Sequence, residues 1–79
     1  MSTRCRLRNV VYTDGLAHNE PFRAEVKTRY SQKELPALIC PLDDKAAELV
    51  FDAPVRALTA GQSAVFYDND YVVGGGIIT

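Results

Sequence analysis

Residues 22–30 read Phe-Arg-Ala-Glu-Val-Lys-Thr-Arg-Tyr. Phe22, Ala24, Val26, Thr28 and Tyr30 fall on one face of an extended chain, and Arg23, Glu25, Lys27 and Arg29 fall on the other. Successive side chains of a β-strand point to opposite faces, so the stretch predicts a half-buried strand. A helix would scatter those charges around its circumference.

The same period recurs along the chain. Arg4, Arg6 and Arg8 alternate with Cys5 and Leu7. Residues 35–42 form an apolar run with Pro36 and Pro41 near its ends, where pairing is limited. Asp43, Asp44 and Lys45 then predict a turn. Ala47, Leu49 and Phe51 alternate with Glu48, Val50 and Asp52, and Asp52-Ala53-Pro54 is expected to end that strand. Residues 55–58 predict a short extended piece, closed by an Ala60-Gly61 turn. Residues 63–67 and 71–78 flank Asp68-Asn69-Asp70, a hairpin signal. Residues 13–21 read as a surface loop. The single candidate helical turn, residues 31–35, is read as a loop because Pro36 follows closely. About six short strands at 8–12-residue spacing predict an all-β domain, a small closed barrel or sandwich. Closure is favoured because an open sheet of short strands leaves unpaired edges.

Composition narrows the classes. A chain of 79 residues suffices for one domain, taken as residues 1–79, and not for the strand–helix units of a nucleotide-binding α/β fold. The uncharged apolar run at residues 71–78 contains three glycines and, like the equally long run at residues 35–42, is far short of the roughly 20 residues of a membrane helix. No basic-then-apolar leader opens the sequence, so no secretory signal and no membrane partner are expected. Cys5 and Cys40 form no CxxC pair, and His18 is the only histidine, which argues against a structural metal and for a reduced, cytoplasmic protein. Charge is uneven. Residues 1–33 carry a net +4 and residues 34–79 a net −5, an asymmetry that permits an anionic partner on one face.

Few residues suggest chemistry. Gly74-Gly75-Gly76 is followed by only three residues, too few for the helix of a phosphate loop, so the glycines are expected to let a final strand pack closely. A cysteine nucleophile lacks a base nearby in sequence, and Cys40 sits in an apolar strand. The acidic turns lack the glycine and closing glutamate of a calcium loop. Lys27 and Arg29 share one strand face, with Tyr30 and Gln32 at or just past its end. Cations meet phosphates, and tyrosine or glutamine can meet a sugar or base, so two readings stand: an RNA contact, or a solvated face over a core tyrosine.

Three motifs in register carry a resemblance. Val26-Lys27-Thr28-Arg29-Tyr30, then Gln32 and Pro36, is similar to the RYxQxxxP stretch of the bacterial tRNA-specific 2-thiouridylases. Phe51-Asp52, Pro54 and Gly61-Gln62-Ser63-Ala64-Val65-Phe66-Tyr67 resemble their FDxP…GQSAVFY segment, and Gly74-Gly75-Gly76-Ile77-Ile78 their terminal GGGII. The family has also been named as a tRNA (5-methylaminomethyl-2-thiouridylate) methyltransferase. The resemblance covers its C-terminal domain, and implies a barrel of about six strands similar to the second domain of translation elongation factors. In that family ATP adenylates the C2 oxygen of the wobble uridine, and a cysteine persulfide, fed by a sulfur-relay donor protein, delivers sulfur there. The N-terminal catalytic domains hold the ATP loop and catalytic cysteines, so this chain is expected to hold no catalytic residue, cofactor or metal. The implied tRNA contacts are Arg29, Tyr30 and Gln62, with Lys27, Arg23 and Arg56 as weaker candidates. Gln62, on a glycine turn, is expected to present a donor and an acceptor. Two positions depart from the family pattern: Ser31 replaces a frequent second basic residue, and Ala60 the usual proline before Gly61. The alternative is a structural or protein-binding barrel that has no direct role with RNA.

Overall fold

A computed structural model describes residues 2–14, 19–28, 34–43, 45–55 and 58–79. Among these residues there are six strands and no helix: β1 (Ser2–Tyr12), β2 (Phe22–Thr28), β3 (Leu35–Pro41), β4 (Ala47–Val55), β5 (Ser63–Asp68) and β6 (Tyr71–Ile78). They close into a barrel in the order β1-β4-β3-β2-β5-β6, and every neighbouring pair is antiparallel. The expected all-β closed barrel is therefore the observed architecture.

Alternation builds the interior. Ala24 and Val26 on β2, Ala37 and Ile39 on β3, Ala47 and Leu49 on β4, and Ala64 and Phe66 on β5 all point inward and are buried. Each of these strands sets an alanine beside a larger side chain. A six-stranded barrel has a narrow interior, and such pairs fill it without overpacking. Leu7, Val10, Phe51 and Ile78 complete the core.

Closure falls on the glycines of β6. Gly75 pairs with Val65 on β5 and with Val11 on β1. A Cβ at Gly75 would stand 2.6 Å from the Ala64 carbonyl oxygen, and one at Gly74 2.5 Å from that of Val11. Only a residue without a side chain lets the three backbones approach this closely.

The structure departs from the sequence reading in two places. β4 does not end at Asp52-Ala53-Pro54 but runs to Val55. Its register against β1 jumps from Arg4↔Val50 to Ser2↔Val55, so Pro54 lies in an irregular stretch that needs no ladder donor from it. β1 continues to Tyr12 with its alternation broken once. Between Arg8↔Ile77 and Val11↔Gly75 it carries an extra residue, with Asn9 at φ 54°. Arg8 and Asn9 are both exposed, and Val10 turns inward. The prolines of β3 behave as expected. Pro36 is registered only with β2 and Pro41 only with β4, so each proline has one paired neighbour.

With all neighbours antiparallel, β1, β3 and β5 begin at one end of the barrel, where β2, β4 and β6 finish. This is called the terminal end below; the other is the hairpin end. Gly75→Ala is expected to lower unfolding stability by about 1–3 kcal/mol, because the added methyl group would meet the Ala64 carbonyl oxygen, a backbone atom. Urea titration of the variant checks this.

Candidate nucleic-acid interface

Thr28, the last residue of β2, pairs with Ala64 near the start of β5. The chain therefore leaves β2 beside the point where it enters β5 after Gln62. This places the position before Ser63 and the exit from β2 at the terminal end of the barrel. Arg29 and Tyr30 follow Thr28 in the chain but lie outside the described residues, as does Arg56.

A tight turn positions Gln62. Gln62 N–H donates to the Thr59 carbonyl at 3.2 Å, and Gly61 occupies the third position at φ 93°, where a glycine avoids a Cβ penalty. Two further bonds dock the turn onto β6: Gly61 N–H to Ile78 O at 2.7 Å, and Ile78 N–H to Gln62 O at 2.8 Å. The Gln62 side chain points inward and is only 9% exposed. Its Oε1 accepts from Thr59 N–H at 3.3 Å, while its buried Nε2 has no hydrogen-bond partner among the described residues. This differs from a carboxamide held out to solvent. Strand parity is the reason: Gln62, Ala64 and Phe66 share the inner face.

Lys27 is exposed, pairs with Val65, and makes no ion pair among the described residues. By the same parity it stands on the outer wall, so Lys27 and Gln62 lie on adjacent strands but opposite faces. Arg23 is engaged elsewhere. It reaches over β3 to Asp52 on β4, with Nη2 and Oδ2 2.6 Å apart. That hydrogen bond holds the Asp52 carboxyl below the usual carboxylate range.

Carboxylates line the wall towards the hairpin end. Glu25, Asp68 and Asp70, with Arg23, help line an open cleft of about 680 Å³, which extends to Glu34, the residue before β3, towards the terminal end. The turn there places Asn69 at φ 55°. Among the described residues no group of three or more His, Cys, Asp or Glu side chains is arranged to hold a metal. Cys5 faces the core, and burial, followed by the Glu48 carboxylate, pushes its thiol up to about 11. That suppresses the thiolate a nucleophile needs.

Comparison with known proteins gives this geometry a family. The sequence profile of the aminomethyltransferase β-barrel domain matches residues 2–78. The chain belongs to this family. It is 46% identical over 78 residues to the tRNA-specific 2-thiouridylase MnmA of Serratia proteamaculans, covering 99% of this chain and 21% of that protein. It is 61% identical over 59 residues to the protein of the same name from Acetivibrio thermocellus, covering 75% and 16%. The Yersinia pestis protein of that name is 55% identical over 58 residues, covering 73% and 16%. The chain thus spans about a fifth or less of these relatives. The resemblance to the C-terminal domain of the 2-thiouridylases, read from the three motifs, is borne out.

Two outcomes follow from the geometry. Gln62→Met removes the buried unpartnered Nε2 and also the Oε1 acceptor of Thr59 N–H, with little change of volume, so the two effects should offset and stability should stay within about 1 kcal/mol of the unaltered chain. Thermal melts of the two proteins check this. The raised Cys5 value gives a pH signature. Below about 9 the thiol is protonated in both states. Between about 9 and about 11 the unfolded chain loses the proton while the folded chain keeps it, so stability falls as pH rises. Urea titrations at the two ends of that window should show a smaller fall in Cys5→Ala.

Proposed function

We propose that the chain is the tRNA-docking barrel of a tRNA 2-thiouridylase, the ATP-dependent class that installs sulfur at C2 of the wobble uridine. The observation that carries this reading is the match along 99% of the chain to a relative named as a tRNA-specific 2-thiouridylase. In this reading ATP and the sulfur-relay donor engage the N-terminal catalytic domains, and the barrel holds the cytoplasmic tRNA substrate so that its wobble base reaches them.

The geometry at the terminal end supports the docking role. Arg29 and Tyr30 follow in the chain from Thr28, which is registered beside Ala64, two residues after Gln62. A guanidinium forms charge-assisted bonds to phosphate, and a phenol meets a sugar or base. Lys27 adds a cation on the adjoining wall. Contacts of this kind position an RNA and do not select its sequence.

A second reading, a protein-binding barrel, draws on the hairpin end, where Tyr71 is 78% exposed and Val72 46%. The two readings separate on one residue. In the full enzyme, Arg29→Ala should weaken tRNA binding and lower the slope of log affinity against log salt by about 1. Filter binding measures both. Unchanged affinity and slope would count against docking and favour the second reading.

A further inference from the structure

We propose that the bulge in β1 is a further contact for the ribose–phosphate backbone of RNA, made by the Arg8 guanidinium and the Asn9 carboxamide. This rests on the docking reading above and extends it to residues on another strand.

The bulge sets two consecutive side chains on the outside of the barrel. Leu7 and Val10 are buried, while Arg8 and Asn9 between them are exposed. Asn9 sits at φ 54°, a conformation that glycine adopts without strain and asparagine tolerates. For the bend alone, glycine would be the better residue. What asparagine adds is a carboxamide on the surface, and bulges commonly re-aim side chains next to functional sites.

Neighbouring charges leave Arg8 available. Arg4 is held by Glu48 at 3.6 Å, and Arg23 by Asp52 at 2.6 Å. Neither Arg6 nor Arg8 makes an ion pair among the described residues. Arg6 is registered opposite Glu48, the carboxylate that Arg4 engages. Arg8 is registered opposite Ile77 on β6, an apolar residue. On the far side of β1, the Lys45 carbonyl accepts from Val10 N–H at 2.8 Å, which sets the exposed Lys45 beside the bulge.

The position joins the docking end. Ile77 pairs in turn with Ser63, the residue after Gln62, so Arg8 stands two strand spacings, roughly 10 Å, from the start of β5. Leu7, next to Arg8, pairs with Ile78, whose backbone holds the Gln62 turn. The carboxylates Glu25, Asp68 and Asp70 gather at the hairpin end. A polyanion at the Gln62 turn thus meets Arg8 and Asn9 along the β6–β1 wall. Arg8 offers a planar pair of donors to a phosphate, and the Asn9 amide offers a neutral donor to a phosphate oxygen or a 2′-hydroxyl.

The test is fluorescence anisotropy of an unmodified tRNA transcript with the full enzyme, titrated from 50 to 200 mM salt, for Arg8→Ala, Asn9→Gly and Arg29→Ala. Arg8→Ala should weaken binding several-fold and reduce the salt slope by about 1. Asn9→Gly keeps the bulge and removes only a neutral group. It should weaken binding with the slope unchanged and stability unchanged or raised, a combination that a purely structural role does not produce. Wild-type affinity and slope in Arg8→Ala and Asn9→Gly, with Arg29→Ala impaired, would overturn this contact and leave docking standing. Wild-type behaviour in all three would remove both.

Discussion

The bare backbone of β6 lies against both of its neighbours, and the barrel depends on that approach. Gly75 is registered with β5 on one side and β1 on the other, where even a methyl group would meet a carbonyl oxygen. Closure there joins the first strand to the last and leaves no sheet edge among the described strands. It also decides which surfaces adjoin. β1 would otherwise touch only β4. Closed, its outer face continues over β6 to the start of β5, and Arg8 comes within two strands of the Gln62 turn.

Closure also sorts the charge. The chain is nearly neutral, at −1, yet its charges do not form a uniform mixture on the folded surface. Carboxylates from β2 and the β5–β6 turn line a cleft towards the hairpin end, and Glu34, the residue before β3, continues it towards the terminal end. Two arginines are tied to carboxylates on β4, while Arg6, Arg8 and Lys27 stand on outer walls without such a partner among the described residues.

Much of the architecture was legible, because alternation is a local property. The inward sets Ala24/Val26 and Ala47/Leu49 follow from period two alone, whereas Ala37/Ile39 and Ala64/Phe66 are selected from apolar or mixed runs by the pairing of β3 and β5 with their neighbours. What escaped was what alternation cannot carry. The extra residue at Asn9 leaves Leu7 and Val10 both inward, which reads in sequence as a fading pattern. Pro54 signals a strand end, and a bulge absorbs it within β4. At the candidate site, motif spacing singled out Gln62, but its inward side chain follows from the parity of β5 and the docking of its turn onto Ile78. The Arg23–Asp52 contact joins residues 29 apart and has no local signal.

Sequence by itself determined that the chain builds strands, where most of them lie, which side of β2 and β4 is apolar, and which family's motifs it carries. These are written in neighbouring residues, and steric alternation along an extended backbone converts them directly into faces. The tertiary structure alone decided the order β1-β4-β3-β2-β5-β6, the pairing of Thr28 with Ala64, the burial of the Gln62 amide, and the outward pair Arg8 and Asn9. Those depend on which distant segments meet. That is set by the shared need to bury the inward faces and satisfy backbone hydrogen bonds around a closed ring, a condition on the whole chain that no short segment contains.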